Sequence, residues 1–183
     1  MDDMDREYLS TLDTASIDGF RSLLYKGSDD ELERIYNEQR VASGPHEDWL
    51  DDDGVQAVMI RRLGEELVLI HLYHSVELKI KEIIKCRRVN VSPADDKKLY
   101  QWEKLKESMS NKAKDSDAFR QVNIMRLLVN CFKHVGRVSK KLHEIDETFG
   151  YIGDDIVFDR RAGYERYKDS SSKLIRLIYE NES

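Results

Sequence analysis

Apolar residues recur every three or four positions along most of the chain, which is the spacing of amphipathic α-helices. The longest such pattern begins at Val55 and continues for roughly thirty residues. A second pattern covers residues 122–142, and a last one covers residues 164–179. Together they predict an all-α bundle of about five to six helices, with two long antiparallel core helices and a small β-prone loop, residues 149–158, before the last helix.

Breaker and capping residues predict where the helices begin and end. A short helix is predicted to begin near Ser16 and to end at Gly27. Ser28 and Glu31 then have the spacing of a capping box, in which each side chain binds a free backbone N–H, so a second helix is predicted to start there.

The centre of the chain shows similar signals. Pro93 at a first helical position predicts a helix that extends to about Met109. Asp115 or Ser116 is predicted to cap the following long helix, and Gly136 predicts a bend or a close helix crossing within it.

Composition supports the helical interpretation and limits the cellular setting. Charged residues make up 36% of the chain, with only two Pro and nine Gly, which favours long solvated helices. Cys86 and Cys131 are too few for a disulfide framework. The sequence contains no signal-peptide pattern and no apolar run long enough to span a membrane. We therefore expect a cytoplasmic protein without a membrane partner.

The net charge of −6 is unevenly distributed along the chain. Residues 1–54 contain 16 acidic and 5 basic residues, and subtraction from the totals of 36 and 30 leaves 20 acidic and 25 basic residues in 55–183. This division predicts an acidic N-terminal helical extension, residues 1–54, packed on a helical bundle of residues 55–183. The basic body could attract nucleic acid, although solubility or intramolecular pairing explains so mild an imbalance more simply.

The best candidate for a functional site lies in the second long helical pattern. Arg126, Asn130 and His134 recur every four residues, so they follow one face of a helix, with Lys133 beside them. The surrounding residues are apolar, which predicts four polar side chains in the core. Buried polar groups cost free energy unless they are hydrogen-bonded, so these residues either fix the helix register or serve a function.

The first long helix carries a second group of polar residues. His71, His74 and Glu77 follow one another at three-residue spacing and could offer metal ligands. The sequence supplies no obvious fourth ligand, so buried, hydrogen-bonded histidines are the commoner explanation. We predict no metal and no cofactor.

Two stretches resemble the HEPN superfamily of helical domains. Residues 74–81, with His74, Glu77 and Lys81, look like the first core helix of that family. Residues 130–134, Asn-Cys-Phe-Lys-His, look like its second motif, in which an Arg is usually followed by a polar residue and then, a few residues later, by a His. The resemblance covers approximately residues 55–180.

The resemblance implies a helical homodimer and, in many members, a metal-independent endoribonuclease of toxin–antitoxin or other defence or stress systems. It implies that His134 acts as general base or acid and that Asn130 orients the reacting group. Arg126 or Lys133 would stabilise the developing charge. The product would carry a 2′,3′-cyclic phosphate.

The same resemblance suggests a wider site and possible partners. Expected substrate-binding residues are Arg137, Lys140 and Lys81, and His74 and Glu77 are secondary site residues. The expected partners are RNA, an antitoxin or another protein, and a second copy of the chain.

One position departs from the family pattern. The residue before Asn130, where the family Arg belongs, is Val129, and Arg126 lies one turn earlier. An alternative function therefore stands beside the ribonuclease, namely a non-catalytic helical module for protein interaction or dimerisation in which the motif serves packing.

Overall fold

A computed structural model describes residues 3–43, 52–87, 101–134 and 136–181 of the chain. Within these ranges the regular structure is helical and contains no β-strand, so the predicted all-α class is confirmed. The ranges contain eight α-helices instead of five or six, because three of the helices are too short for periodicity to detect. Their bounds are Asp3–Ser10, Ala15–Ser43, Asp52–Arg87, Trp102–Glu107, Asn111–Lys114, Asp117–His134, Lys140–Ile145 and Arg160–Asn181.

The predicted break at Gly27 is wrong, because one helix runs through this position from Ala15 to Ser43. Ser28 does not cap a new helix there. Its hydroxyl donates a hydrogen bond to the carbonyl of Tyr25, 3.3 Å away, as serines inside helices often do. Gly27 does not have the positive φ of a helix-ending glycine, so the helix tolerates it at a small entropic cost.

The second long helix ends earlier than predicted. It begins as expected at a Ser116 cap, whose hydroxyl accepts a hydrogen bond from the backbone N–H of Phe119 at 3.1 Å. It ends at His134 instead of Leu142. Gly136 has a φ of 67°, a value that favours glycine, and a separate helix then begins at Lys140.

The β-prone loop before the last helix forms no hairpin within its own residues. A 3₁₀ turn covers Glu147–Phe149, and Gly150 and Gly153 have positive φ values. The single antiparallel bridge of this region joins Arg137 to Asp155, so the loop pairs with the segment that follows helix 117–134.

Two further predictions fall largely outside the described residues. Pro93, the predicted helix start, lies outside them, while residues 102–107 of that predicted helix are helical. The acidic loop around Trp49 also lies outside them. None of the described helices is long and apolar enough to cross a membrane.

The described contacts divide the chain into two compact units, one of residues 14–68 and one of residues 1–13 with 69–183. The boundary predicted at residue 54 concerned charge and function, and it stays a prediction.

In the core of the larger unit, helices 117–134 and 160–181 pack extensively on each other. Both helices turn an apolar stripe inward, which is how amphipathic helices form a common core. The residues that the two helices bury include Val122, Met125, Leu128, Tyr164, Tyr167, Leu174, Ile175 and Ile178.

The smaller unit is an antiparallel helical hairpin. Arg61 Nη1 lies 2.7 Å from Asp29 Oδ1, and a Cβ added to Gly64 would lie 2.6 Å from Leu24 Cδ1. Positions further along one helix therefore lie beside positions further back along the other, so the two helices are antiparallel. The absence of a side chain at Gly64 lets the two helices approach closely.

Replacing Gly27 with Ala is expected to raise the free energy of unfolding by about 0.5–1 kcal/mol, because alanine restricts the unfolded chain and fits a helix interior. Apart from the adjacent residues and the backbone of its own helix, no heavy atom lies within 4 Å of the added Cβ. Gly136→Ala is the matched control and should destabilise the protein, because its φ of 67° is unfavourable for alanine. Urea unfolding followed by circular dichroism measures both variants. A loss of stability in Gly27→Ala would show that the helix breaks at this residue.

Candidate functional site

The last turn of helix 117–134 leaves the core, and this places the candidate residues at the surface. Asn130, Lys133 and His134 are exposed, whereas Val129 and Cys131 are buried. The expectation that all four polar residues lie in the core is therefore wrong. The apolar residues that surrounded them in the sequence occupy the other side of the helix.

Three of the four residues share this last turn. Asn130 and His134 lie four residues apart on one face, and Lys133 lies three residues from Asn130, so the three form a continuous exposed surface. Lys133 also carries positive charge at the helix C-terminus, where the backbone carbonyls favour a cation.

Arg126 is directed away from this surface. Its Nε donates a hydrogen bond to Asn123 Oδ1 at 3.1 Å, on the preceding turn, and its guanidinium lies 5.1 Å from the centre of the Trp102 ring. Arg126 and His134 are eight residues apart, which corresponds to about 12 Å along a helix axis. The structure therefore does not bring these two residues together.

An aromatic cluster explains the position of Arg126. Trp102 stacks on Phe119 with their centroids 5.8 Å apart and lies 6.4 Å from the ring of Tyr73. Burial in this cluster lowers the pKa of the Arg126 guanidinium, an effect that Tyr73 and Glu103 oppose. Burial likewise raises the pKa of Tyr73. Arg126 thus joins helix 117–134 to helix 102–107 and acts in packing.

Val129 is fully buried at the position where the resemblance places an Arg. An arginine in this place would put a guanidinium into the apolar core, which is costly unless it is paired and hydrogen-bonded. Position 129 is thus part of the core in this helix, and the exposed polar side begins at Asn130.

Further basic residues follow the helix end. Arg137, Lys140 and Lys141 are exposed. Ser139 fixes this segment, because its hydroxyl caps helix 140–145 by accepting from the N–H of Leu142 and also accepts a 3.3 Å hydrogen bond from Cys131 Sγ. The predicted residues Arg137 and Lys140 thus stand on a short, well-connected segment directly after His134.

The sequence did not predict two aromatic and basic contributors to this region. Tyr151 is 77% exposed on a loop that two backbone hydrogen bonds, Val138 N–H to Asp154 O and Gly153 N–H to Val138 O, attach to the segment after His134. The Arg160 guanidinium lies 5.6 Å from the ring centre of Phe132, beside Lys133. The glycines on both sides of Tyr151 indicated a turn, but no sequence signal indicated its exposure.

The site residues on the first long helix occupy different environments. Lys81 is buried and its Nζ lies 3.1 Å from Glu77 Oε1, so this predicted substrate-binding residue forms an ion pair within its own helix. His74 is exposed, as is His71. In the part of the chain that the structure describes, no group of three or more His, Cys, Asp or Glu side chains could hold a metal ion.

Comparisons with known proteins add no relative: no family model, no curated protein and no solved structure matches the chain.

Replacing Arg126 with Lys is expected to lower the free energy of unfolding by about 1 kcal/mol, because lysine keeps the charge but loses the planar contact with Trp102 and the hydrogen bond to Asn123. Arg120→Lys, at an exposed position on the same helix, is the control and should change stability by less than about 0.5 kcal/mol. Chemical unfolding measures both. Equal stability of the two variants would contradict a packing role for Arg126.

Proposed function

We propose that the protein is an RNA-binding HEPN-like component of a defence or stress system and that His134 gives it metal-independent endoribonuclease activity. The observation that carries this proposal is the joint exposure of Asn130, Lys133 and His134 on one helical turn, followed by the exposed Arg137 and Lys140. The proposal includes the family bundle, in which helices 52–87 and 117–134 are long antiparallel core helices.

Electrostatics supports RNA as the ligand. Lys133, Arg137 and Lys140 provide exposed positive charge for phosphates, and the exposed Tyr151 offers a ring on which an unpaired base could stack. Lys140 Nζ also lies 3.7 Å from Glu144 Oε1, but this pair is exposed and a phosphate can compete for the ammonium group. Asp154 and Asp155 are also exposed in the attached loop, and they would repel the backbone of a duplex that covered the whole region. A single-stranded ligand, which can follow the basic residues and avoid the carboxylates, fits this surface best.

The proposed chemistry uses the imidazole of His134. A neutral imidazole at this exposed position can accept the proton of a ribose 2′-hydroxyl. The 2′-oxygen then attacks the adjacent phosphorus, the bond to the 5′-oxygen breaks, and a 2′,3′-cyclic phosphate and a 5′-hydroxyl result. Lys133 stabilises the negative charge that develops on the phosphate, and Asn130 orients it by hydrogen bonding.

The leaving 5′-oxygen must receive a proton. In the proposed homodimer the second His134 faces the first, as the family resemblance implies, and donates this proton from its protonated form while the first His134 becomes protonated. Arg126 has no step in this scheme, because its side chain is engaged by Trp102 and Asn123.

One observation favours the alternative of a non-catalytic interaction module. The buried Val129 and the packed Arg126 leave no arginine on the last turn of the helix. In that case the exposed turn binds RNA or a protein without cleaving it.

His134→Ala is expected to abolish cleavage of labelled total RNA while changing stability by less than about 0.5 kcal/mol, because His134 is exposed and away from the core. His71→Ala, which removes an exposed histidine on another helix, and Arg126→Lys should both retain cleavage per folded molecule. The products are tested for 2′,3′-cyclic ends.

Two results would rule out catalysis by His134. One is equal cleavage by the wild type and His134→Ala, and the other is no cleavage by the wild type. Retained RNA binding in the second case would favour the non-catalytic module.

Lys133→Gln and Arg137→Gln are each expected to weaken RNA binding. Each variant should also make the negative slope of log affinity against log salt concentration shallower by about 0.7, because it neutralises one phosphate fewer on a single strand. Lys112→Gln, at an exposed position on helix 111–114, is the control and should leave the slope unchanged. Fluorescence anisotropy with a labelled single-stranded oligonucleotide measures the affinities. An unchanged slope in both site variants would place the RNA elsewhere on the protein.

A further inference from the structure

The helical hairpin of residues 14–68 has an apolar side that it leaves in solvent. Leu23, Met59, Ile60, Leu63 and Leu67 are each between 48% and 72% exposed. We call these five residues the hairpin face. At about 100° per residue, Met59, Ile60, Leu63 and Leu67 fall on one side of their helix, and Leu23 lines the same cavity as Ile60.

The hairpin face is larger than the apolar surface that isolated exposed side chains give on a monomeric protein. Five large side chains that are about half exposed or more correspond to on the order of 500 Å² of contiguous surface, near the upper limit for the largest patch of a monomeric protein. A standard protein interface buries roughly 800 Å² per partner, with an apolar centre and a polar rim. The hairpin face has the size of such a centre.

The hairpin also has few apolar residues of its own to bury. Among its described residues the buried large side chains are Ile17, Tyr25, Ile35 and Val68, and the guanidinium groups of Arg21 and Arg61 lie 5.4 and 5.2 Å from the centre of the Tyr25 ring. Two helices form one layer, and a stable core requires a second layer. Two hairpins packed on each other would supply it, since four antiparallel helices form a common bundle.

Apolar and oppositely charged residues are arranged almost symmetrically around Leu63, so a second copy of the helix running in the opposite direction would be complementary to the first. Ile60 and Leu67 lie at nearly equal distances on either side of Leu63, and so do Arg62 and Glu66 on either side of Gly64. A two-fold axis near Leu63 would therefore place Ile60 of one copy opposite Leu67 of the other. It would also place each Arg62 close to a Glu66 of the second copy. Contacts of this self-complementary kind are characteristic of two-fold symmetric dimers.

We infer that the hairpin face is a self-association site, at which two copies pair antiparallel about Leu63 to form a four-helix bundle. In one copy Arg62 Nε and Glu66 Oε1 are 3.3 Å apart, so the charges that would reach across the axis already flank the apolar side chains. This association uses residues 23 and 59–67 and is a different contact from the proposed pairing of two His134 surfaces, so its loss lowers the mass of the assembly whether or not that pairing forms.

Leu63→Lys in the full chain is expected to raise the dissociation constant of the contact between hairpin faces at least about 100-fold, because the two-fold axis brings the two introduced ammonium groups together in an apolar contact. Val58→Lys is the matched control. Val58 is also an exposed apolar residue of this helix, at 43%, but it lies about 160° around the helix from Ile60, so its variant should dimerise like the wild type. Sedimentation equilibrium measures the mass, and circular dichroism checks that both variants remain helical.

A charge exchange tests the antiparallel arrangement. Arg62→Glu places two acidic residues opposite each other in both symmetric contacts and should weaken the dimer several-fold. Adding Glu66→Arg in the same chain restores opposite charges both within the helix and across the axis, so the double variant should recover wild-type affinity.

Three results would overturn the inference. A monomeric wild type at all accessible concentrations would show that the hairpin face does not self-associate. Equal loss of the dimer in Val58→Lys and Leu63→Lys would show that the contact is not on this side of the helix. A double variant as weak as Arg62→Glu alone would exclude the antiparallel pairing.

Discussion

The burial of helix 117–134 as far as Cys131 is the constraint on which the larger unit depends. Its apolar residues pack against helix 160–181, and the aromatic cluster of Tyr73, Trp102 and Phe119 holds the side of the helix that carries Arg126. A helix fixed by packing along this length cannot rotate to present different residues. The exposed surface at Asn130, Lys133 and His134 is therefore a consequence of the core.

The sequence predicted the helical class and the inward stripe of the last helix, because amphipathic periodicity reports directly on which side of a helix is buried. Tyr167, Leu174, Ile175 and Ile178 were expected to face inward and are buried. Helix ends were less predictable. Gly27 and Gly136 look alike in the sequence, yet one lies inside a helix and the other follows a helix end, because the backbone conformation at a glycine depends on tertiary contacts.

Spacing along the sequence identified the candidate residues, but it did not predict which of them are buried. An apolar surrounding in the sequence suggested a buried His134, whereas the core ends between Cys131 and Lys133, within the last turn of the helix. Periodicity describes an infinite helix and contains no information on where that helix leaves the protein interior. The exposure of Tyr151 was missed for the same reason, since it depends on a loop attached to Val138 through long-range backbone hydrogen bonds.

The absent arginine can be understood from the geometry of one helix turn. Val129 and Asn130 are about 100° apart, and the boundary of the core passes between them, since Val129 is fully buried and Asn130 is exposed. Exposing position 129 would require rotating the helix. The rotation would move Asn130 and His134 from their present positions on the surface and would separate Arg126 from Trp102. In this packing an arginine at position 129 would put a guanidinium into the apolar core, which is costly unless it is paired and hydrogen-bonded. Any chemistry at this surface must take its positive charge from residues that the same packing exposes, of which Lys133 is the nearest in sequence to His134.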